Sequence, residues 1–320
     1  MTDLPLPRDT KTWLLTNGMA GFEAQGLGLA EALGVTAELK RVRAPAPWKW
    51  LAPFGPAAPD AAIHAPWPDL LLASGRQSIP YARMIARRSP RTFVAVLQDP
   101  RVNPAQFDFV WAPSHDLLAG TNVLSTLTSP HRLTPDLLER EARRVTPVIG
   151  HLPGPRIAVL LGGSNAVYEF SEQDARNLAD NLAFVAQTGS SLMITPSRRT
   201  GKAQLRLIRE RLKNLPAYIW DGAGDNPYFG ILGSADAIIA TSDSVNMLGE
   251  AASTGKPLHV VELPGGSPKF RRFLDGIYAH GAARLFALPL ERWDYAPLNA
   301  THDIARALAH AYRAKRADKQ

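Results

Sequence analysis

The sequence predicts an α/β protein with two successive units, each built on a mostly parallel sheet. Short apolar runs alternate with longer segments of helical periodicity, which is the pattern of strands and helices layered on such a sheet. The alternation starts again at Arg156, and a chain of 320 residues is long enough for two domains. We therefore expect two Rossmann-like domains facing across a cleft, over residues 1–150 and 151–300.

The first predicted unit contains five strands and two helices. Its strand candidates are Thr12–Thr16, Ala37–Val42, Leu70–Ala73, Thr92–Leu97 and Phe109–Ala112. Its helix candidates are Gly26–Leu33 and Ile79–Arg88. A Pro-rich stretch over residues 44–56 interrupts the series and is predicted to be a loop or a distorted helix.

The second predicted unit repeats the alternation of strands and helices. Its strand candidates are Arg156–Leu161, Ser191–Thr195, Ala217–Trp220, Ala237–Ala240 and Pro257–Val261. Its helix candidates are Ser171–Thr188, Lys202–Lys213 and Ser244–Ser253, and the first opens with Ser-Glu-Gln-Asp, which resembles a capping box. The segment His131–Pro155 is the predicted linker between the units.

A last amphipathic helix is predicted over Thr301–Arg316. Its apolar stripe consists of Ile304, Ala307, Leu308 and Ala311. An apolar stripe needs a partner surface, and the second sheet already has three helices to cover it. We therefore expect this helix to return to the N-terminal domain.

The charge is positive but not gathered in one half of the chain. Lys and Arg number 36 against 29 Asp and Glu, with 16 against 13 over residues 1–150 and 20 against 16 after them. No basic block typical of a nucleic-acid-binding arm occurs, so we expect no nucleic-acid partner. The excess instead fits anionic small molecules or an anionic membrane surface.

Several classes of protein are excluded by what the sequence lacks. Cysteine is absent, which excludes disulfides, thiolate metal sites and a Cys nucleophile. The eight histidines show no metal-ligand spacing, and neither a Gly-x-Ser-x-Gly elbow nor a kinase signature occurs. No apolar run has the length of a membrane span, and the first nine residues lack the order of a signal peptide. We expect a cytoplasmic protein, with contact at the inner face of a membrane left open.

Glycine and polar residues follow the strands of the first unit, where ligands bind in open α/β sheets. After the first strand come Asn17, Gly18, Gly21, Glu23 and Gln25. The glycines permit a tight turn and a close backbone approach, which suits a ligand loop or a plain βα turn. After the fifth strand come His115 and Asp116, which serve as a general acid–base pair or as a hydrogen bond that fixes the loop.

Two loops of the second unit suit an anion. Gly162-Gly-Ser-Asn follows a buried strand, and free backbone N–H groups that lead toward a helix bind anions. Gly163 and Ser164 are the candidates there, although a plain glycine turn explains the pattern equally well. Arg198 and its neighbour Arg199 follow the next strand and can fork onto a phosphate.

The strongest signal lies around the strand Ala237–Ala240. Asp243 and Ser244 follow it and can cap the next helix, whose N-terminus would attract a diphosphate. We expect Asp243 to cap rather than to bind phosphate, because two anions repel. Glu250 lies two turns into this helix among apolar neighbours such as Met247, and a carboxylate there can accept two ribose hydroxyls.

Aromatic residues lie beside basic residues in one segment of the first half. Lys40, Arg41 and Arg43 precede Trp48, Trp50 and Phe54. This combination suits a membrane interface, but the tryptophans can also pack in the N-terminal core.

Several motifs resemble one known family. They are Asn226-Pro-Tyr, Thr241-Ser-Asp-Ser-Val-Asn-Met and Glu250-Ala-Ala-Ser-Thr-Gly-Lys-Pro. The chain resembles the bacterial relatives of the plant mitochondrial-fission "elongated mitochondria" proteins. The resemblance continues in the expected order through Asn17-Gly, Leu97-Gln-Asp-Pro-Arg, Pro113-Ser-His-Asp, Gly162-Gly-Ser, Ser197-Arg-Arg-Thr and Phe270-Arg-Arg-Phe. It is similar, more distantly, to the lipid-linked GlcNAc transferase of peptidoglycan synthesis.

The resemblance implies the GT-B architecture and a glycosyltransferase that takes a nucleotide-diphosphate sugar as its substrate, with no metal or other cofactor. The implied donor-binding residues are Gly163, Ser164, Arg198, Asn226, Asp243, Ser244, Met247 and Glu250. The implied acceptor-side residues are Asn17, Gly18, Gly21, Gln25 and Asp116. Glu23 or His115 would be the general base, and the acceptor can be an envelope glycolipid.

Two other functions stay open. A nucleotide-sugar epimerase on the same fold would need acid–base carboxylates around the sugar but no acceptor site. A non-catalytic adaptor at a membrane would match the role of the plant relatives in organelle division. Fold carries over between such relatives better than activity does.

Overall fold

The computed structural model describes residues 4–317, so Met1–Asp3, the start of the segment in which no signal peptide is expected, lie outside it. The described chain divides into two compact units, which are residues 4–132 with 299–317 (unit 1) and residues 133–298 (unit 2). Each unit has a six-stranded parallel sheet with helices packed against it. The predicted α/β class with two Rossmann-like domains is confirmed.

The sheet of unit 1 has the order β2-β1-β3-β4-β5-β6, with every pair parallel. Its strands are β1 (Thr12–Thr16), β2 (Ala37–Arg41), β3 (Leu70–Ser74), β4 (Phe93–Leu97), β5 (Phe109–Pro113) and β6 (Val123–Thr126). Four inner strands are buried along their whole length, as expected where both faces of a parallel sheet are covered. The sequence analysis missed β6, a half-buried edge strand that lacks the apolar run of the others.

Three helices of unit 1 connect these strands: α1 (Ala20–Ala32), α2 (Trp48–Leu51) and α3 (Ile79–Arg88). Helix α1 begins six residues before the predicted start at Gly26. Its glycines weaken the sequence signal but permit close packing, because a Cβ on Gly28 would lie 2.6 Å from the carbonyl oxygen of His131. Tertiary contact therefore overrides helix propensity in this segment.

The sheet of unit 2 has the order β12-β11-β10-β7-β8-β9 and is also parallel. Its strands are β7 (Arg156–Leu161), β8 (Ser191–Pro196), β9 (Ala217–Ile219), β10 (Ala237–Thr241), β11 (Leu258–Val261) and β12 (Ala283–Leu285). Its helices are α4 (Pro135–Ile149), α5 (Glu172–Gln187), α6 (Lys202–Leu212), α7 (Tyr228–Ser234), α8 (Val245–Ala252) and α9 (Pro268–Ala279). The predicted capping box is present, with Ser171 and Asp174 each bound to the other's backbone N–H.

Residues 133–155 of the predicted linker are part of unit 2, and the division lies after Arg132 rather than at residue 150. Helix α4 packs closely on α7, because Gly230 and Gly233 present no side chain at the contact. A Cβ on either glycine would lie within 2.6 Å of an α4 carbonyl oxygen, that of Glu141 or Leu138. The predicted boundary was wrong because this contact joins residues about 90 positions apart, and local composition does not reveal it.

The last helix, α10 (Ala300–Ala317), belongs to unit 1. Ile304 and Leu308 are fully buried in one apolar cluster with Leu14 and Trp111. Thr301 fixes the start of the helix, since its Oγ1 accepts a hydrogen bond from the His131 N–H (2.8 Å) and donates to the His131 carbonyl (3.0 Å). The apolar stripe thus covers the first sheet.

The six residues proposed for an interface have different surroundings. Lys40 pairs with Glu38 at 2.6 Å, and Arg41 pairs with Glu23 at 2.7 Å. Trp48 packs against the core of unit 1, whereas Arg43, Trp50 and Phe54 are exposed. Within residues 4–317, no helix combines the length and the apolar character needed to cross a bilayer.

We predict that Leu308→Ala lowers the free energy of unfolding of unit 1 by about 2–5 kcal/mol, the usual loss for a buried leucine that leaves a cavity. Urea unfolding followed by circular dichroism measures it. His310→Ala, at an exposed position on the same helix, is the control and should change stability by less than about 0.5 kcal/mol. Equal effects of the two substitutions would contradict the packing of α10 on unit 1.

Candidate functional site

The carboxyl ends of β11, β10, β7 and β8 are neighbours, so the loops that follow them meet at one edge of the unit 2 sheet. These loops are residues 262–267, 242–244, 162–171 and 197–201. Ligands of open α/β sheets bind at this edge. Most of the predicted donor-binding residues lie in these loops or at the start of α8.

Asp243 is the centre of this edge. Its carboxylate is completely buried and accepts hydrogen bonds from the Gly163 N–H (3.1 Å) and from the Thr241 hydroxyl (2.6 Å). It also forms a salt bridge with the guanidinium of Arg199. One side chain therefore joins the loops after β7, β8 and β10.

Asp243 is not the helix cap that the sequence suggested. Ser244 is the N-cap of α8, with its Oγ accepting from the Met247 N–H at 3.4 Å. Asp243, the residue before this N-cap, contacts Gly163 and Arg199 instead, because those donors satisfy a buried carboxylate better than one helix N–H would. The Gly163 N–H is therefore already occupied by the Asp243 carboxylate.

The two glycines after β7 are required by this packing. A Cβ on Gly162 would lie 1.9 Å from the Asp243 Oδ1, and a Cβ on Gly163 would lie 2.1 Å from the Arg199 carbonyl oxygen. The Gly162 N–H donates to the Thr241 hydroxyl at 2.8 Å. The loop is thus a tightly packed turn in which the N–H groups of Gly162 and Gly163 already have partners inside the protein.

The two arginines after β8 have different roles. Arg199 holds Asp243, whereas Arg198 is exposed and, within residues 4–317, has no carboxylate or carbonyl partner. Ser164 braces its own loop, with its Oγ accepting from the Phe170 N–H at 2.9 Å. Arg198 is therefore a cation of this edge that is available for an anionic ligand.

Glu250 lies on α8 beside Tyr228 of α7. The Tyr228 hydroxyl donates to Glu250 Oε2 at 2.6 Å, and in the described part of the chain Oε1 has no donor. Burial raises the pKa of Glu250 to about 7, although the hydrogen bond from Tyr228 works in the opposite direction. The half-buried carboxylate can therefore accept a further hydrogen bond from a ligand hydroxyl.

Asn226 positions Tyr228. Its Oδ1 accepts from the Tyr228 N–H at 3.0 Å at the start of α7, and its carbonyl accepts from Arg144 at 3.2 Å. Met247 lies one turn before Glu250 on α8 and is half-buried. Asn226 thus acts through Tyr228, a residue within the quoted Asn-Pro-Tyr motif that the sequence analysis did not single out.

The first loop of unit 1 is closed by its own polar contacts. Arg41 holds both carboxylate oxygens of Glu23, at 2.7 and 3.0 Å. This interaction lowers the pKa of Glu23. Asn17 Oδ1 accepts from the Met19 N–H at 3.3 Å, and Gly18 has a φ of +85°, the left-handed conformation that glycine adopts most easily.

The other acceptor-side residues lie nearby on the same unit. Gly21 is in the first turn of α1. Gln25 is buried and accepts a hydrogen bond from the side chain of Gln98, which follows β4, at 3.0 Å. This bond joins α1 to the end of a neighbouring strand and so fixes the loop edge.

His115 and Asp116 form a short 3-10 turn after β5. The His115 side chain is only 3% exposed, and its Nε2 is 4.0 Å from Asp116 Oδ1. Strands β3 and β4 separate β1 from β5, which places the two strand ends roughly 14 Å apart at ordinary strand spacing. The turn that holds His115 and the loop after β1 therefore lie apart along this sheet edge.

The family called Mitochondrial fission ELM1 matches residues 20–312 of this chain. The chain belongs to the mitochondrial fission ELM1 family. It is 30% identical over 276 residues to the mitochondrial fission protein ELM1 of Arabidopsis thaliana, an alignment that covers 78% of this chain and 65% of that protein. The chain thus spans slightly less than two thirds of this ELM1 relative.

Solved structures agree on the fold of this ELM1-family chain. The UDP-GlcNAc 2-epimerase of Methanocaldococcus jannaschii superposes with a TM-score of 0.59 at 12% identity, covering 94% of this chain and 99% of that one. The UDP-GlcNAc 2-epimerase of Neisseria meningitidis, solved bound to UDP-GlcNAc, gives 0.50 at 12% identity, with 97% and 100% covered. At this identity the likeness shows a GT-B-like fold.

We predict that Gly163→Ala lowers the free energy of unfolding by about 1–3 kcal/mol, because the new methyl group meets the Arg199 backbone and not a flexible side chain. Thermal or urea unfolding measures it. Gly154→Ala is the matched control, since a Cβ there meets no atom within 4 Å. A near-neutral Gly163→Ala would show that the loop is looser than these contacts require.

We predict that Glu250 makes stability fall as the pH rises between about 4.5 and 7. The unfolded carboxyl group loses its proton near its ordinary pKa of 4.5, whereas the folded group keeps it up to about 7. The unfolded state therefore binds fewer protons in this window, and the free energy of unfolding falls by about 1–3 kcal/mol.

Glu250→Gln should remove this part of the pH dependence, because the amide does not titrate and its oxygen still accepts from Tyr228. Urea unfolding at several pH values compares the variant with the wild type. Glu210→Gln, at an exposed carboxylate of α6, should leave the dependence unchanged. Parallel pH curves for wild type and Glu250→Gln would refute the raised pKa.

Proposed function

We propose that unit 2 binds a nucleotide-diphosphate sugar and that the protein is a glycosyltransferase of the GT-B type. The proposal rests on one observation. An unpaired arginine (Arg198), the start of α8 capped by Ser244 and a half-buried carboxylate (Glu250) all belong to the segments that follow neighbouring strands at one edge of the unit 2 sheet. Solved structures of the same fold are named for UDP-GlcNAc, which supports a nucleotide sugar as the ligand class.

The diphosphate would lie at the start of α8. The Met247 N–H already donates to Ser244, so the earlier N–H groups of the first turn and the helix dipole are what attract the anion. Arg198 would add a charge-assisted hydrogen bond to a phosphate oxygen. Positive groups placed in this way stabilise a departing nucleoside diphosphate without requiring a metal ion.

Glu250 would hold the ribose. Tyr228 fixes one carboxylate oxygen and leaves Oε1 to accept from a sugar hydroxyl. An ionised carboxylate accepts such hydrogen bonds more strongly than a protonated carboxyl group does, and the pKa of Glu250 is about 7. Nucleotide affinity should therefore rise as the pH rises through neutrality.

Transfer needs an acceptor and a base, and unit 1 offers the candidates. Glu23 would act as a base only after Arg41 releases its carboxylate, because the ion pair lowers the pKa of Glu23. His115 would act only after its side chain leaves its buried position. We propose an envelope glycolipid as the acceptor, reached at the cytoplasmic face of a membrane.

A protein that binds a nucleotide sugar without transferring it is the second candidate. The observation that favours it is the same pair of engaged groups, Glu23 with Arg41 and the buried His115. Product analysis with and without a lipid acceptor separates the two functions. Turnover of the nucleotide sugar without an acceptor would instead point to an epimerase.

We predict that one nucleoside diphosphate, tested alone and as its sugar, raises the melting temperature of the protein. Ligand at 100 times its Kd adds about 2.7 kcal/mol to the free energy of unfolding. Arg198→Ala should weaken binding at least tenfold, the loss expected when a charged hydrogen bond of about 1.5–3 kcal/mol is removed.

Glu250→Gln should abolish the rise of affinity with pH. Lys213→Ala removes the same charge as Arg198→Ala, at the other end of α6, and should bind as the wild type does. Calorimetry gives the affinities. A screen in which no nucleoside diphosphate binds would refute the proposed function.

A further inference from the structure

An apolar tip projects from unit 1. Trp50 is 72% exposed, Phe54 70% and Leu51 48%, and all three lie within five residues. We call these three residues the tryptophan tip. Exposed large apolar side chains are ordinary when scattered singly, but three gathered on one short segment, the end of α2 and the residues after it, mark a contact surface.

The segment that carries the tip is held in place by contacts with the rest of unit 1. Trp48 packs against the core of the unit, and Arg76 donates to the Lys49 carbonyl at 2.9 Å. Arg83 donates to the carbonyls of Pro53 (3.3 Å) and Phe54 (2.9 Å). The apolar side chains are therefore presented on a braced segment, which lowers the entropy lost when they bind.

The segments around the tip carry an unusual charge. Residues 43–59 and 70–98 contain Arg43, Lys49, Arg76, Arg83, Arg87, Arg88 and Arg91 and not one Asp or Glu. Within residues 4–317 none of the seven forms an ion pair. The intervening Asp69 pairs with Arg316 at 2.6 Å, and Asp60 accepts from the Ala62 N–H. This region alone carries seven unpaired cations in a chain of net charge +7.

A groove of about 390 Å³ lies beside the tip. Phe54 and the residues up to Ala57 line one side, and Arg83, Met84, Arg87 and Arg88 of α3 line the other. Arginine presents a planar fork of donors that matches phosphate oxygens. We call this feature the arginine groove, and it is large enough for a lipid headgroup.

We propose that the tryptophan tip and the arginine groove together dock the protein on an anionic lipid bilayer. Trp50, Leu51 and Phe54 enter the boundary between headgroups and acyl chains, and the arginines bind lipid phosphates. Aromatic tips with a cationic rim suit this boundary, because the rings take the apolar level and the cations stay at the anionic surface. A duplex nucleic acid would match the cations but leave the apolar tip without a partner.

This surface is different from the interface suggested by the sequence alone. Lys40 and Arg41 are already paired with carboxylates, and Trp48 packs against the core. The exposed Arg87 and Arg88 take the place of Lys40 and Arg41 as the cations. The proposal uses only unit 1 and does not depend on the proposed reaction. A protein that fails to bind nucleotides can still dock, and the reverse also holds.

The experiment is vesicle sedimentation of the full chain with phosphatidylcholine alone and with phosphatidylcholine plus phosphatidylglycerol. We expect binding to the anionic vesicles that weakens with salt, since exposed charges are screened beyond about 8 Å at physiological ionic strength. Arg87→Ala with Arg88→Ala should weaken binding by about fivefold for each arginine removed. Trp50→Ser with Phe54→Ser should weaken it by at least tenfold and abolish a blue shift of tryptophan fluorescence on binding.

Two controls match these variants. Arg8→Ala with Lys11→Ala removes the same charge from an exposed part of unit 1, and Phe184→Ser removes an exposed apolar side chain from α5. Both should bind as the wild type does, and circular dichroism verifies that all variants are folded. Equal losses in control and test variants, no binding to anionic vesicles, or arginine-dependent binding to duplex DNA in place of vesicles would each overturn the proposal.

Discussion

The buried carboxylate of Asp243 is the constraint on which the second sheet edge depends. A charge without solvent is stable only with strong partners, and here they are the Gly163 N–H, the Thr241 hydroxyl and the Arg199 guanidinium. Two of these donors come from the loops after β7 and β8, and the third lies at the end of β10. The same requirement forces glycine at residues 162 and 163, since any side chain there would enter the space of the carboxylate or of the adjoining backbone.

Because of this constraint, neighbouring groups at the edge have different roles. Asp243 neutralises Arg199 and occupies the glycine-loop N–H, so the loop serves as scaffold and not as an open anion cradle. The unpaired Arg198 and the start of α8, capped by Ser244, are left to meet a ligand. Farther along α8, the pKa of Glu250 is set by burial and by the hydrogen bond from Tyr228, which belongs to a different helix.

The local sequence pattern predicted the fold better than it predicted the contacts of the site. Apolar runs located the buried strands to within about a residue, because strands covered on both faces must be apolar. The edge strand β6 was missed because half of it faces solvent. The start of helix α1 was placed six residues too late, because its glycines serve contacts distant in sequence. The Asp243–Arg199 salt bridge and the Tyr228–Glu250 hydrogen bond join residues 44 and 22 positions apart, and no spacing rule predicts such pairs.

The hydrogen bonds between Thr301 and His131 bring together two points of the chain that are 170 residues apart. Unit 2 is therefore an insertion, entering and leaving unit 1 through adjacent positions. During synthesis, the part of the first sheet that α10 covers stays exposed until α10 itself has been made. The same adjacency makes the insertion separable in principle, since a short connection across this point would give unit 1 an uninterrupted sequence.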